Sequence, residues 1–167
     1  MKKTTVNAAA MAHKPSEKIK AARSVLPKHD GAAISHASQR AIVVDTNFLL
    51  MPLEYRIDLV SEMLRIAHGQ VNVLIPTVVY NEVKMLAGKT GKRAAAARFF
   101  MNNFDKFKEK LHIKIIESDG MADRWIIKYA QKNPVYVATN DIPLRLQLLA
   151  LGVPVIAMKG KSKLDFV

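Results

Sequence analysis

The sequence predicts a three-layer α/β domain in which helices cover both faces of a mostly parallel sheet, preceded by a basic N-terminal arm. Short aliphatic runs alternate with segments whose apolar residues recur at helical spacing. The runs show no polar alternation, which is typical of strands buried on both faces. Before residue 40, in contrast, the apolar residues are mostly alanine and show little periodicity.

The composition favours one packed domain with a polyanionic partner. The chain has 167 residues, half of them hydrophobic, with a formal net charge of +12 and no cysteine. The lack of cysteine excludes disulfides, thiolate zinc sites and thiol catalysis. The large positive charge favours nucleic acid over an anionic membrane as the partner. Since no run approaches the roughly 20 apolar residues needed to span a bilayer, we expect a cytoplasmic protein without membrane association.

Changes in composition divide the chain into three segments. Residues 1–40 carry eight lysines and arginines against two acids, a net charge of +6, and are expected to be a flexible basic extension. Such an arm can hold a phosphate backbone without reading its sequence. Residues 41–160 are expected to form the folded domain, and residues 161–167 a short basic tail.

The elements of the domain follow from the alternating pattern. A strand at 41–45 is followed by a helix at 58–68, and a strand at 71–75 leads into a helix that begins at Pro76 and carries Glu82. The remaining elements, in order, are a long helix at 92–110, a strand at 113–116, a helix at 121–131, a strand at 135–139, a helix at 143–151 and a last strand at 154–158.

Four acidic residues stand at the ends of strands or near the starts of helices. Asp45 and Asp141 come at or just after the carboxyl ends of their strands, where such sheets bind ligands. Glu82 lies about one and a half turns into the helix after the second strand, and Asp123 lies in the first turn of its helix, so both can point toward the same edge. Convergent carboxylates in a chain without cysteine suit Mg²⁺ or Mn²⁺ rather than zinc. Such ions can supply the nucleophilic hydroxide, the charge neutralisation and the stabilised leaving oxygen that phosphodiester hydrolysis needs.

Each acid also has a purely structural explanation. Asp45 can cap the turn after its strand, and Asp123 or Asp141 can stabilise the start of a helix. Glu82 can be an exposed helical residue that pairs with a nearby lysine. The four acids together, rather than any one of them, favour a metal site.

The motifs around these acids resemble those of the PIN-domain ribonucleases. The matching segments are Val43-Val44-Asp45-Thr46-Asn47-Phe48-Leu49, the mid-helix Glu82, Ala122-Asp123 and Ala138-Thr139-Asn140-Asp141. The resemblance runs from residue 41 to about residue 158 and implies a parallel sheet with an acidic pocket that binds Mg²⁺ or Mn²⁺ and cuts RNA. It implies that the catalytic metal ligands are Asp45, Glu82, Asp123 and Asp141.

The resemblance also implies supporting roles around the carboxylates. Asn47, Thr139 and Asn140 would hold the carboxylates or a bound water by hydrogen bonds. Many relatives carry a second acid after the third ligand, where this chain has Arg124. Asp119 lies just upstream and could partly substitute.

Basic and aromatic residues close to the acids in sequence are candidates for RNA contacts. We expect the phosphate backbone to be held by Lys89, Lys92, Arg93 and Arg124, although a solvated charged face explains these residues equally well. Trp125 is followed by two isoleucines, so it is expected to pack in or beside the core rather than to stack on a base.

The function predicted on these grounds is a metal-dependent endoribonuclease. One role within the family is ribosomal RNA processing, as in the Fcf1-like branch, with precursor ribosomal RNA and ribosome-assembly proteins as partners. The other is a toxin controlled by an antitoxin. The basic extension and the lysines at 159–163 favour processing. A homodimer is compatible with the family.

Two other classes of function are compatible with parts of the pattern. Arg124 leaves open a non-catalytic RNA-binding subunit that keeps the fold. A phosphatase with Asp45 as nucleophile is disfavoured, because Asn47 stands where such an enzyme needs a second acid.

Overall fold

The computed structural model describes residues 41–160 and 162–167, so the expectations for residues 1–40 lie outside the described part of the chain. The strands are β1 (Ile42–Val44), β2 (Val73–Pro76), β3 (Lys114–Ile116), β4 (Tyr136–Ala138), β5 (Val155–Lys159) and β6 (Lys163–Phe166). The helices are α1 (Thr46–Glu54), α2 (Leu59–Ile66), α3 (Thr77–Ala87), α4 (Lys92–Asn102), α5 (Phe104–Lys110), α6 (Ala122–Lys132) and α7 (Ile142–Ala150). None of these helices is long and apolar enough to cross a membrane.

The six strands form one sheet in the order β3-β2-β1-β4-β5-β6, which confirms the α/β class with a mostly parallel sheet. Every neighbouring pair is parallel except β5 and β6, which are antiparallel. The central strand β1 therefore has β2 on one side and β4 on the other. Their carboxyl ends meet at one edge of the sheet, which we call the carboxyl edge.

The aliphatic runs form the core, as their composition indicates. All three residues of β1 are almost completely buried, as is Val137 in the neighbouring β4. Apolar burial on both faces of a parallel sheet requires helices above and below it. The sheet thereby becomes a rigid base for the loops at its carboxyl edge.

Helix α1 was not expected from the sequence. It begins directly after Asp45, whose side chain accepts a hydrogen bond from the Phe48 amide and so caps the helix. Four consecutive residues, Phe48 to Met51, are buried, so the helix lacks the polar face that usually reveals one. Pro52 lies inside it, in a position that ordinarily argues against a helix.

The single long helix expected at 92–110 is wrong, because the chain breaks at Asn103 into α4 and α5. The Asn103 side chain donates to the Phe99 carbonyl and competes with the helical backbone bonds. The change of direction lets Phe107 stack on Phe100, with ring centroids 5.5 Å apart.

The expected tail at 161–167 is also wrong for residues 163–166, which form β6, and β5 is therefore not the last strand. Leu164 is fully buried, and its carbonyl and amide are held by Arg65 and Glu62 of α2 at 2.5 and 2.8 Å. Lys159 and Asp165 pair across the two strands at 2.7 Å. The segment is an edge strand of the domain.

We expect the substitution Leu164→Ala to lower the free energy of unfolding by about 2–4 kcal/mol, because it leaves a cavity beneath β6. Chemical denaturation of the full chain measures this change. The same substitution at Leu146, which is 61% exposed, is the matched control and should cost less than about 0.5 kcal/mol. Equal effects at the two positions would contradict the assignment of β6 to the domain core.

Candidate active site

Asp45 lies at the carboxyl end of the central strand and is only 4% exposed. Its Oδ1 accepts from the Phe48 amide at 2.7 Å, and its Oδ2 accepts from the Thr139 hydroxyl at 2.5 Å. Burial raises the pKa of Asp45 from 3.8 to about 6; these two hydrogen bonds oppose the rise, and the charges of Asp123 and Asp141 add to it. Each carboxylate oxygen has a second lone pair, so both can still face a cation.

Thr139 connects two of the four acids. Its hydroxyl donates to Asp45 and accepts from the backbone amide of Asp141 at 3.0 Å. Asp141 in turn caps α7 by accepting from the Leu144 amide at 2.8 Å. Parallel pairing of β1 with β4 brings the two loops together, so the contact between Asp45 and Thr139 follows from the sheet.

Glu82 is held by one direct hydrogen bond, and two further hydrogen bonds anchor the helix that carries it. Thr46, the first residue of α1, donates its hydroxyl hydrogen to Glu82 Oε2 at 2.6 Å. The start of α3 is tied to the segment at the end of β3: Thr77 donates to the Ile116 carbonyl at 3.0 Å, and Ser118 accepts from the Val78 amide at 2.9 Å. These contacts set the direction of α3 and hence the position of Glu82.

Asp123 lies in the first turn of α6, where the helix dipole favours a negative charge. Its pKa is nevertheless raised, first by burial and then by the charges of Asp141 and Glu82. Because Asp45 is influenced by Asp123 and Asp141, all four acids belong to one electrostatically coupled group. We call Asp45, Glu82, Asp123 and Asp141 the carboxylate quartet.

The quartet is not drawn together into a tight metal-binding cluster. Within residues 41–160 and 162–167, no three acidic or histidine side chains lie close enough together to hold an ion as they stand. Mg²⁺ is commonly held by one or two carboxylates and several waters, so it does not need three protein ligands in contact. The all-oxygen donor set and its mutual repulsion fit a divalent hard cation.

Two of the expected supporting residues make other contacts. Asn47 Oδ1 accepts a hydrogen bond from Arg93 of α4 at 2.7 Å. Asn140 accepts from the Met158 amide at 2.8 Å and donates to the sulfur of Met51, which ties its loop to β5 and α1. Sequence reasoning missed Thr46, although it stands beside Asp45 in the first motif.

The basic residues expected to contact RNA occupy two places. Arg98 donates to the carbonyls of Ala87 and Lys89 at 3.0 and 2.9 Å and so braces the loop that leads to Lys92. Arg93, at the start of α4, reaches the first turn of α1 through Asn47. Lys89 lies in the braced loop and Lys92 and Arg93 at the start of α4, whereas Arg124 lines a groove along α6.

The raised pKa of Asp45 predicts how the stability of the metal-free protein changes with pH. The folded state takes up the proton more readily than the unfolded state, so this group favours folding as the pH falls from about 7 toward 4. Over that range, the free energy of unfolding of the wild type should rise by about 2–3 kcal/mol relative to that of Asp45→Asn. Denaturation in chelator at several pH values measures this, with Asp105→Asn as an exposed control. A stability difference between the wild type and Asp45→Asn that does not change with pH would contradict the buried environment of Asp45.

Two curated proteins are similar to this chain over most of its length. Ribonuclease VapC4 of Methanocaldococcus jannaschii is 27% identical over 125 residues, which cover 72% of this chain and 92% of that protein. Ribonuclease VapC9 of Archaeoglobus fulgidus is 29% identical over 125 residues, which cover 74% of this chain and 87% of that protein.

Solved structures share the fold. The PIN domain endonuclease Utp24 superimposes with a TM-score of 0.61 at 20% identity, over 77% of this chain and 91% of that one. A domain of a functionally unknown protein from Methanocaldococcus jannaschii gives a TM-score of 0.54 at 15% identity, over 74% of this chain and 94% of that one. The model of the PIN like domain family matches residues 42–161, and the chain belongs to this family.

Proposed function

We propose that this chain is a Mg²⁺- or Mn²⁺-dependent endoribonuclease that hydrolyses RNA phosphodiester bonds and acts in ribosomal RNA processing. The observation that carries the proposal is the coupled carboxylate quartet around a buried Asp45 at the carboxyl edge. A chain with a net charge of +12 that keeps four mutually repelling acids together is suited to bring cations and phosphates to one place.

The quartet would hold the cation. When bound, Mg²⁺ or Mn²⁺ supplies an activated water and positive charge opposite the phosphate oxygens. Thr139 fixes Asp45, and Thr46 fixes Glu82, each by a short hydrogen bond to one carboxylate oxygen. Such supporting bonds decide which lone pairs face the site, and they resist the repulsion between the acids.

Arg93 would hold the RNA backbone beside the quartet. Its bond to Asn47 uses one of the five N–H donors of the guanidinium group and fixes the group near the start of α1. The other donors suit a phosphate, which takes paired hydrogen bonds from arginine. Lys89, on the loop braced by Arg98, and Lys92, at the start of α4, extend the positive surface.

RNA as the substrate is supported by the names of the two curated relatives, both ribonucleases, at 27% and 29% identity. The likeness to the endonuclease Utp24 supports the fold. The whole-chain charge adds a reason for a polyanionic substrate, because it accelerates association with nucleic acid and makes binding sensitive to salt.

Ribosomal RNA processing, with precursor RNA and ribosome-assembly proteins as partners, is favoured by the basic extension. Residues 1–40 carry half of the net charge, and compact toxins usually lack such an arm. Lys159, one of the lysines at 159–163, pairs with Asp165 between β5 and β6 and so counts less toward this role. The second candidate, a toxin held by an antitoxin, is favoured by the two relatives, which this chain matches over nearly their full length.

Arg124 is the reason to consider a non-catalytic RNA-binding subunit, but its position weakens this alternative. It follows Asp123 on α6 and points into the groove, while the causes of the raised pKa of Asp123 are burial and two other acids. An arginine that neutralised the quartet would lower this pKa instead.

We expect the full chain to cleave structured RNA with Mn²⁺ or Mg²⁺ and to lose this activity in chelator. Asp45→Asn and Asp141→Asn should each lower the rate by more than about 100-fold, because each removes a charge that holds the cation. Asp105→Asn, an exposed acid on α5, is the matched control and should retain the rate. Gel-resolved cleavage of end-labelled RNA measures both. Cleavage that survives the chelator or both site substitutions would refute the metal mechanism; binding without cleavage by the wild type would support the non-catalytic subunit.

Arg93→Gln should raise KM about tenfold and change kcat less, because a backbone contact serves the bound substrate as well as the transition state. Arg93→Lys should recover part of the loss, since it restores the charge without the planar fork. Steady-state cleavage assays separate the two constants. Arg56→Gln, a like substitution on the exposed loop after α1, is the control. An unchanged KM in Arg93→Gln would remove this residue from the RNA surface.

Deleting residues 1–40 should weaken RNA binding and flatten its dependence on salt, because eight cations are lost. Filter binding at several salt concentrations gives the slope of log affinity against log salt. A slope equal to that of the full chain would show that the arm does not contact RNA.

A further inference from the structure

An open groove of about 450 Å³ runs along α6, the helix that carries Asp123 of the carboxylate quartet. Its lining includes Asp119, Arg124, Trp125, Lys128, Tyr129 and Lys132. The volume lies within the range of sites that accept small organic groups. None of its lining residues belongs to the quartet, yet Arg124 directly follows Asp123 in the first turn of the helix. The groove therefore lies on the helix that supplies one acid of the candidate active site.

Two aromatic rings form part of this groove. Trp125 and Tyr129 stack with ring centroids 4.7 Å apart and planes 15° from parallel. Both are partly buried and pack against the hydrophobic core, which fixes them in place. The expectation that Trp125 packs beside the core is therefore correct but incomplete, since the same ring also lines the groove. Rings held rigidly at the edge of a groove are what a nucleobase needs for stacking.

Three cations accompany the rings on the same helix. Arg124, Lys128 and Lys132 are each four residues apart, so they lie along one face of α6. All three are exposed and line the groove. A row of cations beside fixed aromatic rings is the usual composition of a surface that binds single-stranded nucleic acid.

We propose that this groove binds a nucleobase of a single-stranded RNA whose chain also passes the carboxylate quartet, with the adjoining phosphates on the three cations. This subsite rests on the proposed ribonuclease function and extends it to a preference for an unpaired flanking nucleotide. A duplex base has no free face to offer the rings, and an acidic peptide has no flat face. The rings favour the base, and the cations favour the backbone.

The chain has one tryptophan, Trp125, so its fluorescence reports on the groove alone. The full-length Asp45→Asn variant in chelator prevents cleavage while RNA is titrated. A single-stranded RNA hexamer should quench the emission on binding. A hexamer with one abasic position at its centre, or a fully paired duplex of the same sequence, should bind about tenfold more weakly at this site and quench less.

A matched pair of substitutions tests the second ring. Tyr129→Leu should weaken binding of the hexamer about tenfold, whereas Tyr55→Leu, at an exposed tyrosine on the end of α1, should leave it unchanged. Circular dichroism establishes that both variants fold. A loss that is equal for the intact and abasic hexamers in Tyr129→Leu would count against stacking.

The outcomes separate this proposal from the ribonuclease function. The wild type could bind and cut RNA without quenching of Trp125 emission and without weaker binding in Tyr129→Leu. That result overturns the subsite alone and leaves the groove to another class of ligand, such as a peptide. Quenching by inorganic polyphosphate equal to that by the hexamer shows a purely ionic surface and also overturns it. Failure to bind or cut any RNA overturns the proposed function together with the subsite.

Discussion

The buried contact between Thr139 and Asp45 is the constraint on which the rest of the site depends. It exists because β1 and β4 pair in parallel, which places the carboxyl ends of both strands at one edge. The same carboxylate caps α1, and the Thr139 hydroxyl also accepts from the amide of Asp141. One hydrogen-bonded unit thus determines where two helices begin and where two acids of the quartet lie.

The charges around this contact oppose the ionised form of the carboxylate that it holds. Burial and neighbouring acids raise the pKa of Asp45 to about 6, so folding must hold a carboxylate in an environment that disfavours its charged form. The two hydrogen bonds compensate only in part. A cation shared by the quartet would remove the remaining repulsion, which is how binding energy becomes stability of the fold. The acids attract cations, whereas the basic residues outside the quartet attract phosphate.

How much of this could be predicted from the sequence depended on how local the cause was. Aliphatic runs and strand ends are local, so the parallel sheet and the placement of Asp45 and Asp141 followed from the pattern. Helix α1 did not, because its buried residues hide helical periodicity and Pro52 argues against it. Strand β6 was missed because only Leu164 in it points inward, among charged neighbours whose partners lie elsewhere in the chain.

The positions of Glu82 and the direction of α3 depend on contacts that no local pattern contains. Ser118 and Thr77 join α3 to the end of β3, about 40 residues away in sequence, and Thr46 reaches Glu82 across 36 positions. Each is a small hydroxyl residue of a type common in loops, so its partner becomes evident only when the sheet order is known. Glu82 is therefore fixed by a tertiary hydrogen bond, whereas the strand-end acids are fixed by the sheet. This difference makes Thr46 as informative about the site as the carboxylate that it contacts.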